Sequence, residues 1–212
     1  MVAALPTPRH TPFTFCYAAV LVLTGLFVTF GDPGAVHGAL EGSSSDASNL
    51  ARRPVFALVT SGVWVAGGLV SPSILVFLLV LSLLERRVGG WRTAAVFTLG
   101  HVLATLLTEL PVAASVASGY LPASSLDRLD YGISYGLLAS LAALTGLLAR
   151  WARWSVLGGV GVMLTLDVIE LADPLTNWGH VLAVLIGLAC WSPLRSRVAP
   201  HREANRYPMR SQ

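Results

Sequence analysis

Asp130-Tyr131-Gly132-Ile133-Ser134-Tyr135-Gly136 opens an apolar run with a serine set between glycines, and His180 stands near the start of a later apolar run. Small neighbours let a backbone approach the hydroxyl closely. A helix start also offers free amide donors and a dipole that favour a negative oxygen. A serine and a histidine at matching depth on adjacent helices are the minimum set for nucleophilic acyl transfer. The imidazole takes the hydroxyl proton and later gives it to the leaving amine. Asn177, one turn before His180, is placed to orient the ring. The plainer alternatives are a Ser134 hydroxyl bonded to a carbonyl of its own helix and a His180 that only links two helices. In a chain with 20 glycines, Gly-x-Ser-x-Gly is a weak motif by itself. Its force comes from the histidine expected at the same face.

Other ionisable residues, all but His101, gather at that depth. His101 and Glu109 lie in one apolar run, Asp167 and Glu170 close another, and Asp173 precedes a third. Intramembrane charge is costly and marks function by default, so His101 and Glu109 are expected to pair with Asp167, Glu170 or water. Asp130 reads as a helix N-cap. Glu85 reads as an ion partner of Arg86 and Arg87 or as a cap for a neighbouring helix. Cys16 and Cys190 sit inside apolar runs without metal-ligand spacing, so neither a disulfide nor a metal site is expected. No organic cofactor is implied.

These residues need a scaffold, and the composition says which kind. Of 212 residues 54% are hydrophobic and 12% charged, where a soluble domain carries about 25% charged. Mean hydropathy is +0.68. A soluble fold could not cover so much apolar surface. Nucleic-acid binding is excluded as well: the net charge is only +3, and the arginines fall in short clusters between apolar runs.

The runs predict an all-α polytopic membrane protein with six transmembrane helices, near residues 12–30, 54–84, 93–113, 131–148, 151–170 and 178–191. The second is too long for one crossing, so its start is expected to be a partly embedded segment. Gly42-Ser43-Ser44-Ser45 reads as a flexible loop. No clean cleavage site follows the first run, which is therefore taken as a retained span. All 14 basic residues are arginine, and with six spans and both termini cytoplasmic eleven of them fall inside. The expected organisation is a cytoplasmic segment 1–11, a membrane domain 12–193 and a disordered cytoplasmic tail 194–212, in the plasma (inner) membrane of a bacterium.

Three stretches together resemble the rhomboid family of intramembrane serine proteases. Glu85-Arg86-Arg87-Val88-Gly89 is similar to the signature joining the family's second and third helices. Gly132-Ile133-Ser134 matches its nucleophile motif. Gly179-His180, followed by Ala183 and Gly187, is similar to its sixth helix, where small residues allow close packing. The resemblance covers about Arg53 to Trp191 and implies a Ser134/His180 dyad that cleaves transmembrane protein substrates. It also implies an oxyanion held by amides around Gly132 and Ser134, with help from Ser73. Positions where the family carries an oxyanion-binding His and Asn fall near Leu69 and Ser73. Tyr135 stands where the family has a small residue, and Leu138 where it has an aromatic one. Three readings therefore stand: an intramembrane serine endopeptidase, a catalytically inactive rhomboid-like protein that binds membrane clients, and a small proton-coupled transporter using His101, Glu109, Asp167 and Glu170.

Overall fold

The computed structural model describes residues 6–170 and 173–198, all of whose regular elements are helical. Helix α1 (Pro12–Phe30) coincides with the first expected span. The second span is divided, as its length requires. Short helix α4 (Pro54–Ser61) ends at Gly62, an irregular stretch and a 3-10 turn (Gly68–Val70) follow, and α5 (Pro72–Val88) takes up the rest of the run. Helices α6 (Gly90–Ala117), α7 (Ser134–Thr145), α8 (Arg150–Glu170) and α9 (Pro174–Ala189) supply the other spans. Helices α1, α6, α8 and the stretch Pro174–Ser196 that begins with α9 are long and apolar enough to cross a bilayer, while α7 is a shorter apolar helix.

Two departures concern segments expected to be loose. The Gly42–Ser45 stretch joins α2 (Pro33–Ser43) to α3 (Ala47–Arg52), and Ser43, Ser44 and Ser45 are buried. Small hydroxyl side chains suit this tight place because each serves a neighbour. Ser43 Oγ accepts from Trp64 Nε1 at 2.7 Å, Ser44 Oγ accepts from the Asp130 amide at 2.9 Å, and the Ser45 amide donates to the Asp130 carbonyl at 2.7 Å. At the other end, residues 194–198 belong to α10 (Trp191–Val198), and Leu194 is buried in the core. The remainder of the expected tail, 199–212, lies outside the described residues.

Helix α7 is the axis of the bundle, with ten of its twelve residues buried. Glycines bring its neighbours close. A Cβ on Gly100 of α6 would strike Ala139, and one on Gly187 of α9 would strike the Ala139 carbonyl and lie 2.8 Å from Ala142 Cβ. Ala183 is fully buried on the same side of α9. Helix α8 is different: none of its residues is buried, so it lies against the bundle rather than within it.

Glu85 fastens α1 to α5. Pro12 occupies the first helical position and has no amide to satisfy, while Phe13 N and Thr14 N donate to the Glu85 carboxylate at 2.9 and 2.8 Å. The Thr14 hydroxyl adds a third bond at 2.7 Å. Glu85 is therefore the cap of a neighbouring helix, the second of its two expected roles. The negative group at the N-terminus also meets the positive end of the α1 dipole.

Candidate functional site

The approach to Ser134 is fixed from outside α7. The Gly132 amide donates to the Ser61 carbonyl at 2.9 Å, and Asp130 is held by Ser44 and Ser45. Gly132 has φ +126°, a conformation that a side chain disfavours. Helix α7 then begins at Ser134 with Ile133 as N-cap and no side-chain cap. Its first-turn amides are therefore the donors a helix start leaves over. Asp130, expected as that cap, instead accepts from the Ser45 hydroxyl at 3.1 Å. Burial pushes its carboxyl above the ordinary carboxylate range, against the opposing pull of Arg128 and the Ser45 bond.

Ser134 and His180 line the same two cavities. One, of 310 Å³, is mainly apolar and reaches from Ser73 and Val76 of α5 to Val160 and Met163 of α8. The other, of 340 Å³, holds His101, Thr105, Asp130 and Thr176. Neither ring nitrogen of His180 has a hydrogen-bond partner among the described residues, so Ser134 and His180 are neighbours on one cavity without a bond between them. The His180 ring is instead set by Tyr135, whose ring meets it edge-on at 5.6 Å between centroids and 78° between planes. The aromatic contact sought at Leu138 comes from the residue after the serine. Gly179 makes room for it, since a Cβ there would run into the Tyr135 ring.

The remaining expected site residues are distributed as follows. Ser73 lines the apolar cavity. Leu69 points elsewhere and packs on α1, 2.6 Å from where a Cβ on Gly25 would stand. The Gly132 amide is engaged by Ser61, leaving this glycine a conformational role. Asn177 donates from Nδ2 to the Asp167 carbonyl at 2.7 Å and so links α9 to α8 rather than touching His180.

His101 and Glu109 do not pair with Asp167 or Glu170. His101 Nε2 lies 3.1 Å from Ser61 Oγ and 3.0 Å from the Leu58 carbonyl. Glu109 receives Arg128 Nη2 at 2.7 Å, and Arg128 Nη1 reaches Asp173 at 3.3 Å. Asp173 caps α9 and accepts from the Thr176 amide and hydroxyl. These bonds and Arg128 outweigh its partial burial and hold its carboxyl below the usual range. One loop arginine thus straps α6 to the helix that carries His180. Arg128 was readable as the lone basic residue between two acidic ones, Asp127 and Asp130. The Ser61–His101 contact had no signal in spacing, because its partners lie on separate helices.

No curated protein and no solved structure matches the chain significantly. A family model described as rhomboid-like protein matches residues 7–200, nearly the whole sequence. With the helical bundle and its apolar spans, that match makes the chain a member of the rhomboid-like protein family, an all-α, multi-pass membrane protein.

Proposed function

We propose that this rhomboid-like protein is an intramembrane serine endopeptidase with Ser134 as nucleophile and His180 as general base. The observation that carries the reading is the apolar cavity that joins both residues to the gap between α5 and α8. A membrane-embedded segment of another protein that unwinds locally could present its backbone there. His180, with both nitrogens free, accepts the Ser134 proton as Oγ attacks the carbonyl carbon. The tetrahedral oxyanion draws on the first-turn amides of α7 and on the Ser73 hydroxyl. His180 then protonates the leaving amine, and water hydrolyses the acyl-enzyme by the same route. Ser134 and His180 must close into hydrogen-bond contact when substrate arrives, as catalytic bonds that are long in a free enzyme do. The topology proposed with it has both termini cytoplasmic in a bacterial plasma membrane, so the Ser134 end of the bundle faces outward.

A second reading, an inactive client-binding protein, is favoured by Leu69, which packs on α1 where the family places an oxyanion donor. Loss of one such donor costs about 10²–10³ in rate. The experiment is labelling of the reconstituted chain with a fluorophosphonate, in wild type, Ser134→Ala and His180→Ala. Labelling of the wild type that both substitutions abolish supports the protease. A folded wild type that does not label refutes it and leaves the client-binding reading.

A further inference from the structure

Four arginines from three elements converge where α7 ends, on the opposite side of the bundle from Ser134. Arg153, in the first turn of α8, donates from Nε to the Thr145 carbonyl at 3.0 Å and from Nη2 to the Gly146 and Leu148 carbonyls at 3.3 and 3.2 Å. Arg195 of α10 donates from Nε to the same Gly146 carbonyl at 2.8 Å, and Arg87 of α5 donates from Nη1 to the Leu147 carbonyl at 3.2 Å. Arg150 opens α8 beside them and is exposed. Between them Trp191 donates to the Ala142 carbonyl at 2.8 Å, with the Arg153 and Arg195 guanidinium carbons 5.1 and 4.8 Å from its ring centre.

Capping accounts for part of this. A helix C-terminus presents orphan carbonyls and roughly half a negative charge. It does not account for four full positive charges. Among the described residues no carboxylate pairs with Arg87, Arg150, Arg153 or Arg195. Glu85, on the last turns of α5, has both oxygens committed to α1. Each guanidinium carries five N–H donors. Among the described residues Arg195 bonds through Nε alone and Arg87 through Nη1 alone, and both side chains are exposed. The highly exposed Trp91, Trp151 and Trp154 sit within the first five residues of α6 and α8 at this end. That is where interfacial aromatics mark the headgroup layer.

We infer that this cluster is a binding site for the headgroup of an anionic phospholipid. A phosphodiester between Arg153, Arg195 and Arg87 would meet planar forks that match its oxygens in pairs. Its acyl chains would run down the lipid-facing sides of α5 and α8. A phosphatidylglycerol headgroup brings the missing negative charge, whereas a phosphatidylcholine headgroup brings its own cation and neutralises nothing. Each arginine beside an anionic surface contributes about five-fold in affinity.

The test uses the full chain in nanodiscs of phosphatidylcholine, with or without added phosphatidylglycerol. Bound lipid is counted by native mass spectrometry, and the thermal midpoint is recorded. The variant is Arg87→Gln with Arg150→Gln, which leaves the Arg153 and Arg195 caps intact. The expected result is preferential retention of phosphatidylglycerol and a midpoint raised by it. The double variant should retain it about 25-fold less and show no rise of its own midpoint when phosphatidylglycerol is added. Equal retention of the two lipids by the wild type overturns the inference, and this arm decides alone if the variant does not fold. Undiminished retention by a folded variant overturns it too. So does an equal midpoint rise with inorganic phosphate in phosphatidylcholine discs, which would identify a free-anion site instead.

Discussion

Replacing Glu85 with alanine should cost about 3–4 kcal/mol of stability. The carboxylate is 3% exposed and accepts three hydrogen bonds from α1 at 2.7–2.9 Å. Bonds to a charged acceptor are worth about 1.5–3 kcal/mol each, and a buried donor left without a partner costs about 1–3 kcal/mol. The Phe13 amide is only partly buried, so water can serve it, whereas the Thr14 amide and hydroxyl are sealed in. Two stranded donors and a lost charge at the α1 N-terminus come to about 4–6 kcal/mol. Relief from burying the carboxylate returns about 1–2 kcal/mol of that. Glu85→Gln keeps an acceptor but turns an amide NH2 toward an α1 donor, and should fall between wild type and alanine. The assay is equilibrium unfolding in mixed micelles, with Thr14→Ala closing a double-mutant cycle whose coupling should be about 1.5–3 kcal/mol. Gly90→Ala gives an independent check, because its Cβ would stand 2.8 Å from Glu85 Oε1 and push the carboxylate off its donors. A Glu85→Ala protein within about 0.5 kcal/mol of wild type would refute the capping argument.

Two other substitutions test the site's supports. Burial raises the Asp130 carboxyl above 3.8, so the folded state binds this proton more tightly than the unfolded one. Its contribution to stability therefore falls as pH climbs from 3.8 to the raised value. Asp130→Asn should gain on wild type across that window and keep the advantage at pH 7, as thermal midpoints at several pH values would record; an advantage that shrinks with rising pH would contradict the assignment. Gly187→Ala puts a methyl against the Ala139 carbonyl and Ala142, so α9 must move away from α7. It should cost about 1–3 kcal/mol and lower fluorophosphonate labelling of Ser134 at least ten-fold in protein that still folds. Undiminished labelling would show that close α7–α9 packing is not what sets the dyad.

What the sequence made legible follows from range. The six runs, the divided second span and the small residues of α9 are local patterns, because length, hydropathy and residue size are written along the chain. The Glu85 role was half legible: a lone acid beside two arginines invites an ion pair, yet its donors are backbone amides on α1 that no side chain announces. Asp130 was misread because an acid just before a helix is the usual N-cap, whereas here Ser44 and Ser45 take hold of it first. Arg128, Tyr135 and His101 act through partners on other elements, so their roles appear only when helices are placed side by side. The same holds for residues 194–198, whose polar look hides one buried leucine that docks α10.

The shortness of α7 also has an electrical side. Its twelve residues span about 18 Å, against about 30 Å for the hydrocarbon layer. A cavity lined by His101, Asp130 and Thr176 lies at its first residue and a cluster of guanidinium groups at its last. At least one end of the α7 dipole therefore lies within the thickness of the hydrocarbon layer, where only protein groups can neutralise it, and at the C-terminal end Arg153 and Arg195 do so.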